Sequence, residues 1–385
     1  MHKKYFKAIL LNIFNNFTYQ FKNRKTMGNT KSGLLFSHHS FDNHEQIVFC
    51  SDKETGLKAI IGIHDTTLGP ALGGTRMWSY ASEEDALTDV LRLSRGMTYK
   101  AAITGLDLGG GKAVIIGDAT KEKTTALMRK FGHYVHSLSG RYITAEDMGM
   151  ETQDMDTVRE VTPYVTGVSE SLGGAGNPSP VTAYGVFMGL KAAVEYRFGS
   201  ADLTGKKVLV QGIGHVGEDL VRQLVEVGAV VTISDINQER MEAVKAKYDV
   251  TIHNDLDTIY SLDVDIYAPC AMGATLNDTS IAQLKAKVVA GAANNQLEDE
   301  VRHGQMLRDK NIAYAPDFLI NAGGIINVYA EIAKFTRAEI MEKTANIYHT
   351  TLEIFALADN KNIPTQAAAI AIAEARIQEK RNTRK

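Results

Sequence analysis

The sequence predicts an α/β fold in two domains, and three observations carry that reading. The second half alternates strand-like apolar runs with helix-like amphipathic runs, the pattern a doubly wound parallel sheet requires. Within that half, Lys207 to Asp235 sets three spaced glycines between a strand and a helix. The first half has its own strands and helices around a separate glycine-rich stretch, Gly105 to Asp118. At 385 residues, 44% hydrophobic and 23% charged, the chain is globular in composition and long enough for two cores.

Composition excludes several function classes. A net charge of -3 gives no reason to expect nucleic acid as a partner. No apolar run approaches 18 residues, so no membrane span is predicted. Cys50 and Cys270 lie far apart and fit neither metal-ligand nor disulfide spacing, which suits a reducing cytoplasm, and no metal site is predicted. Residues 1–26 differ from the rest, with six Lys or Arg and no Asp or Glu. Their apolar run is short and broken by Asn12 and Asn15, which argues against a secretory signal. We expect this extension to lie outside the fold, disordered or artefactual, with Met27 as the start. A basic amphipathic helix on a membrane surface, or a transit peptide, is the other reading.

In chain order, QIVFCSD and LKAIIGIHD read as strands joined by the hairpin loop KETG. Gly69-Pro70 and Gly73-Gly74 then punctuate the chain. Ser82 followed by three acids starts a helix well. Leu87, Val90, Leu91, Ser94, Met97, Thr98 and Ala101 share one face of that helix, and Lys100 sits near its end, where a lysine also complements the helix dipole. Gly109 to Gly111 leave no side chain in the way of a ligand and permit unusual backbone angles. Lys112 follows at the mouth of the strand Ala113 to Ile116, where desolvation would lower its pKa and make it a usable base. A glycine-rich turn with a solvated lysine is the alternative reading of this stretch alone. Thr124 to Leu138 predicts a helix, and RYITAED a strand ending in Glu146 and Asp147. Acids at strand ends in α/β domains face ligand crevices, though a turn-forming Asp explains the same pattern.

Gly173 to Pro178 predicts a loop and hinge, followed by a helix from Val181 to Phe198. Strand, Gly212-x-Gly214-x-x-Gly217, amphipathic helix, Gly228, strand and Asp235 then follow one another, with Asp235 23 residues after Gly212. That context reads as a dinucleotide fingerprint: the glycines admit the pyrophosphate to a helix N-terminus, and Asp235 accepts bonds from the ribose hydroxyls. Its charge would repel a 2′-phosphate, so NAD is expected over NADP. Further strands are predicted at 264–270, 287–294 and 312–318. NAGGIINV at 321–328 reads as another bare-glycine site, with helix from about Tyr329 to Leu357 and a last amphipathic helix from Ala367 to Lys380.

Eight motifs in order, GPALGGTRM, MTYKAAITGLDLGGGKAV, RYITAEDMG, GNPSPVTAYGV, GIGHVG, DIYAPCAMGATL, GAANNQL and INAGGIINV, resemble the glutamate, leucine, phenylalanine and valine dehydrogenase family from roughly Gly33 onward. The resemblance implies a substrate-binding, catalytic and oligomerisation domain over 27–167. A Rossmann-type NAD-binding domain would cover 168–358, across a cleft, and a C-terminal helix over 359–385 would pack back on the first. It implies that Lys100 binds the substrate carboxylate with Gly73 and Gly74, that Lys112 polarises the carbonyl and activates water, and that Asp147 shuttles the amino-group proton. Thr182 and Asn295 would position nicotinamide and substrate. Gly212, Gly214, His215, Val216, Gly217 and Asp235, with Ala268, Cys270 and Asn294, would line the cofactor. Lys100 would also depress the pKa of Lys112.

The family's acidic-substrate members have a lysine and a serine at the places of Leu72 and Val328, which here are apolar. With Met97, Ala145 and Ile325 these imply a branched-chain amino acid, leucine first, then valine and isoleucine. The products would be the 2-oxo acid, ammonia and NADH. A valine- or phenylalanine-preferring relative, or a non-catalytic NAD-binding protein, are the alternatives. A cytoplasmic homo-oligomer, in the family an octamer, is expected.

Overall fold

The computed structural model describes residues 35–383, so the basic extension of residues 1–26 lies outside the described residues. The chain divides into two compact units. The first runs up to Gly176 and takes in Glu331–Ala333 and Ala371 onward; the second comprises Asn177–Ala330 and Lys334–Ile370.

The first unit is built from β1 (Gln46–Ser51), β2 (Lys58–Asp65), β3 (Ala71–Trp78), α1 (Glu83–Ile103), β4 (Gly109–Ile116), α2 (Thr125–Ser137), β5 (Tyr142–Glu146) and α3 (Thr152–Arg159). Its sheet has the order β1-β2-β4-β3-β5. β2 is antiparallel to β1 and β4, while β3 runs parallel to β4 and β5. Side chains alternate across a strand, so each face has its own cover. Ala71, Met77, Ala113, Ile115 and Tyr142 pack on Leu127, Met128, Phe131 and Val135 of α2. Ile60 and Val114, on the other face, meet Ala86, Val90 and Leu91 of α1. Ser82 caps α1 by accepting from the Asp85 N–H at 3.1 Å, and acids fill its first turn. At the other end Arg376 donates to the carbonyls of Ala101, Ala102 and Leu106, satisfying carbonyls that a helix terminus leaves open.

Two sequence readings change here. Gly109 to Gly111 lie inside β4, so Lys112 is a mid-strand residue rather than one at a strand mouth, and none of the three glycines has a positive φ. Close approach is what demands them. A Cβ on Gly109 would stand 2.0 Å from the Asp65 carbonyl oxygen, on Gly110 2.1 Å from the Thr98 nitrogen, and on Gly111 2.7 Å from the Tyr142 ring. Gly73-Gly74 is not punctuation but the middle of β3, with Gly73 opposite Thr144 and Gly74 opposite Ala145 of β5. A Cβ on Gly73 would sit 1.7 Å from the Gly111 oxygen.

The second unit begins with α4 (Ser179–Phe198). It continues through β6 (Lys207–Gln211), α5 (His215–Glu226), β7 (Val230–Ser234), α6 (Gln238–Lys247), β8 (Val250–Ile252), β9 (Ile266–Pro269), α7 (Asp278–Gln283), β10 (Val288–Val289), α8 (Glu300–Asp309) and β11 (Ala313–Tyr314). After α9 (Asp317–Ile320) come α10 (Gly323–Ala333), α11 (Arg337–Ala345), α12 (Ile347–Lys361) and α13 (Thr365–Thr383), of which Glu331–Ala333 and Ala371 onward belong to the first unit. The sheet is parallel throughout, in the order β11-β10-β9-β6-β7-β8. Strand order reverses beside β6, the place where doubly wound sheets open a crevice.

The strands predicted at 287–294 and 312–318 shrink to two paired residues each, and Pro316 caps a helix where strand was expected. The helix expected from Tyr329 begins six residues earlier, since α10 starts at Gly323 within NAGGIINV. Gly323 allows this, since a Cβ there would lie 2.2 Å from the Val181 oxygen of α4. Lys334 ends α10 with a left-handed φ of 58°, breaking the predicted long helix. No described helix is long and apolar enough to cross a membrane.

Candidate functional site

The first unit gathers its chemistry on the sheet face that α1 covers. Leu72, Gly74 and Arg76 alternate on β3 with residues of the opposite face, as do Gly110, Lys112 and Val114 on β4, and Leu72 pairs with Gly110 and Arg76 with Val114. Lys112 is thus carried toward α1, and its side chain is only 7% exposed. Its Nζ donates to Oδ2 of Asp147 at 2.6 Å. Asp147 immediately follows β5, and its Cβ lies where a side chain on Gly74 would press, at 2.9 Å.

Burial pushes the Lys112 ammonium below its ordinary pKa; Asp147 opposes this and Arg76 reinforces it. Burial pushes the Asp147 carboxyl up, but Lys112 and Arg76 outweigh it and hold the group below the usual carboxylate range. The pair therefore consists of a lysine made easy to deprotonate and an acid kept ionised. Arg76 is a cation that lowers the Lys112 pKa, a role the sequence reading had given to Lys100 alone.

Arg76 went unassigned in the sequence, although GGTRM contains it. Its Nε donates to Asp147 Oδ2 at 3.0 Å and its Nη1 to Asp89 Oδ2 of α1 at 2.9 Å. The Tyr80 hydroxyl donates to the same Asp89 oxygen at 2.6 Å. Reading Gly73-Gly74 as strand would have exposed the signal, because two residues on from Gly74 is the same face.

Other predicted residues of this unit fall as follows. Lys100 is in the last turn of α1, half-buried, and Met97 is half-buried one turn earlier. Leu72 and Ala145 are buried, on adjacent strands. Gly73 accepts at its carbonyl from the buried Tyr142 hydroxyl at 2.6 Å.

In the second unit the fingerprint glycines divide their work. Gly212 has φ 92°, and a Cβ there would stand 2.6 Å from Ala271. A Cβ on Gly217 would be 2.0 Å from the Gly212 oxygen, so strand, turn and helix pack only with glycine. Gly214 instead faces open space and caps α5 with no side-chain bond, leaving the helix N-terminus clear beside exposed His215 and half-buried Val216. Asp235 closes the turn, accepting from the Ile213 N–H at 2.8 Å and the Asn237 N–H at 2.9 Å. A bare helix N-terminus with an acid at the end of the next strand fits a dinucleotide.

Ala268 is buried on β9. Burial pushes the Cys270 thiol up to about 12, a resting rather than a reactive cysteine. Asn294 and Asn295 are exposed, the latter with a left-handed φ of 51°. Buried Asn321, also missed in the sequence, donates to Asn294 Oδ1 at 2.7 Å and so orients it. Thr182 bonds the Pro178 carbonyl, and a Cβ on Gly324 would lie 3.3 Å from its Oγ1. Ile325 is buried and Val328 half-buried on α10. Among the described residues no group of three or more His, Cys, Asp or Glu could hold a metal ion.

A parallel dinucleotide-type unit joined to a unit with a buried lysine–aspartate pair defines a dehydrogenase of two-domain α/β architecture. Two family signatures match the chain: the Glu/Leu/Phe/Val dehydrogenase dimerisation domain over residues 44–164, and Glutamate/Leucine/Phenylalanine/Valine dehydrogenase over 173–238 and 234–384. The chain belongs to this family and is an amino acid dehydrogenase. It is 53% identical over 350 residues to a leucine dehydrogenase of Thermoactinomyces intermedius, covering 91% of this chain and 95% of that one. It is 49% identical to a phenylalanine dehydrogenase of Lysinibacillus sphaericus, over 85% of this chain and 87% of the other. The crystal structure of L-tryptophan dehydrogenase from Nostoc punctiforme superposes with a TM-score of 0.79 at 47% identity, covering 88% of this chain and 97% of that one.

Proposed function

We propose that this enzyme deaminates branched-chain L-amino acids oxidatively with NAD, leucine first and valine and isoleucine next. The observation that carries the chemistry is the Lys112–Asp147 pair at 2.6 Å, buried and flanked by bare backbone. The nicotinamide cofactor, when bound, supplies the acceptor for the hydride of the substrate Cα. The chain's own residues handle charge and protons. Lys100 holds the substrate carboxylate, and Gly73 and Gly74 leave room for it. Asp147, kept ionised, takes a proton from the substrate ammonium so that the amine lone pair can assist hydride loss. Lys112, once neutral, removes a proton from the water that adds to the iminium carbon. Asp147 then returns its proton to the amino group, and as ammonia leaves the hydroxyl proton passes to the re-ionised Asp147 while the Lys112 ammonium stabilises the carbonyl oxygen. Thr182, Asn294 and Asn295 orient the nicotinamide and substrate.

The choice of NAD follows from Asp235, whose carboxylate would repel a ribose 2′-phosphate. The choice of substrate follows from Leu72 and Val328. A substrate carboxylate against these two side chains would have no partner, and an unpaired buried charge costs several kcal/mol, so glutamate is rejected. Ala145, larger than glycine, narrows the pocket against aromatic rings. Among apolar substrates one methylene is worth only about 1–3 kcal/mol, so valine and isoleucine stay close to leucine. Relatives named for leucine at 53% identity support this order, while those named for phenylalanine and tryptophan at 49% make aromatic substrates the competing outcome. We further propose a cytoplasmic homo-oligomer, an octamer, in line with the matched dimerisation domain and two free cysteines. The test is kcat/KM for leucine, valine, isoleucine, phenylalanine, tryptophan and glutamate with NAD and with NADP. An aromatic or acidic substrate ahead of leucine would overturn the substrate assignment and leave the dehydrogenase standing.

A further inference from the structure

Arg76 and Lys112 both bind the same oxygen of Asp147, Oδ2, and no described group bonds Oδ1. Arg76 cannot follow Asp147 freely, because its other arm is held by Asp89 of α1, and Asp89 is held by Tyr80. Lys112 is buried and the other four groups are half-buried, with side-chain exposures of 21% for Arg76, 26% for Asp89 and 30% for Asp147. A planar guanidinium can bridge two carboxylates at fixed angles, which an ammonium cannot do.

We propose that Arg76, braced by Asp89 and Tyr80, is a positioning residue that pins Oδ2 of Asp147 and so leaves Oδ1 as the oxygen that exchanges the proton with the substrate nitrogen. This rests on the deamination reading above. The same bridge also acts on Lys112, behind burial and Asp147. The charged and titratable groups that bear on the pair include Arg76 of β3, Tyr80 beyond it, Asp89 of α1, and Tyr142 of β5, whose hydroxyl is tied to the Gly73 carbonyl. Asp65 of β2 is taken up by Arg381. Arg76 works against a proton on Lys112, and Asp89 works in its favour.

The opposed signs give the test. In the acid limb of the kcat/KM profile, activity rises as Lys112 loses its proton. Arg76→Gln removes a positive charge, so the limb moves to higher pH, by about one unit for a neighbour at this range. Asp89→Asn removes a negative charge and moves it to lower pH. Arg76→Lys keeps the charge, so the limb stays near wild type. It loses the fork, however, and kcat falls about 10²-fold, as for a catalytic group displaced by about 1 Å. NADH binding, read by fluorescence, stays unchanged in all three and reports folding. Shifts in the same direction for Arg76→Gln and Asp89→Asn, or no shift with kcat intact, would overturn the inference. A wild-type enzyme that turns over none of the amino acids would instead overturn the functional reading beneath it.

Discussion

Gly74→Ala tests whether the glycines of β3 serve the reacting pair. The new Cβ would stand 2.5 Å from the Glu146 carbonyl oxygen and 2.9 Å from Asp147 Cβ. Relaxing the first contact to an ordinary separation of about 3.5 Å requires about 1 Å of movement between β3 and the end of β5. Neither side yields easily, since β3 is paired on both edges and Asp147 is held by Lys112 and Arg76. Overpacking of this kind costs about 1–3 kcal/mol, which a folded domain can survive. The displacement falls on Asp147, however, and a shift of about 1 Å in a reacting group costs about 10²-fold in rate. We therefore expect Gly74→Ala to fold, to bind NADH normally, and to lose about 10²-fold in kcat/KM for leucine. Gly96→Ala is the control: Gly96 lies in α1, exposed, with nothing within 4 Å of the new Cβ. Alanine there should stabilise the helix by about 0.5–1 kcal/mol and leave activity unchanged. The experiment measures kcat/KM, NADH affinity and Tm for both variants. A Gly74→Ala enzyme with wild-type kcat/KM would refute the steric argument.

Lys112→Ala should lower kcat by about 10² to 10⁴ with cofactor binding intact, and wild-type turnover would remove Lys112 from the chemistry. Asp235→Ser should weaken NAD and improve NADP relative to it, and an unchanged ratio of the two kcat/KM values would count against Asp235 as the ribose ligand. His64, bonded to Thr98 Oγ1 at 2.8 Å, is buried, and that burial holds its pKa down at about 4. The unfolded chain takes up this proton near pH 6.5, so stability contributed by neutral His64 is full above that pH and is lost as pH falls toward 4, by about 3 kcal/mol in all. Denaturant titrations at pH 7 and 4.5 should show a shallower loss in His64→Gln than in wild type, and equal losses would exclude His64 as a source of the slope.

Local pattern was enough for the second unit's β6–α5–β7 segment, because each of its rules acts within a few residues. Gly212 needs its positive φ, Gly217 its bare Cα against Gly212, and Asp235 ends the strand that follows. The lysine–aspartate pair was also legible, though only by resemblance, since Lys112 and Asp147 stand 35 residues apart. The tertiary structure decided what period-2 alternation and packing impose across strands. Glycines that look like turn residues in the sequence became the interior of β3 and β4, because their neighbours on β2, β5 and α1 press against bare Cα atoms. In the same way Pro316 starts a helix where strand was expected and Gly323 starts one six residues before the expected helix, as α4 packs where a side chain on Gly323 would stand. Arg76 shows the difference most plainly. Strand alternation from Gly74 puts it on the right face, but its partners come only from the fold, in which β3, α1 and the end of β5 bring Asp89 and Asp147 to either side of one guanidinium.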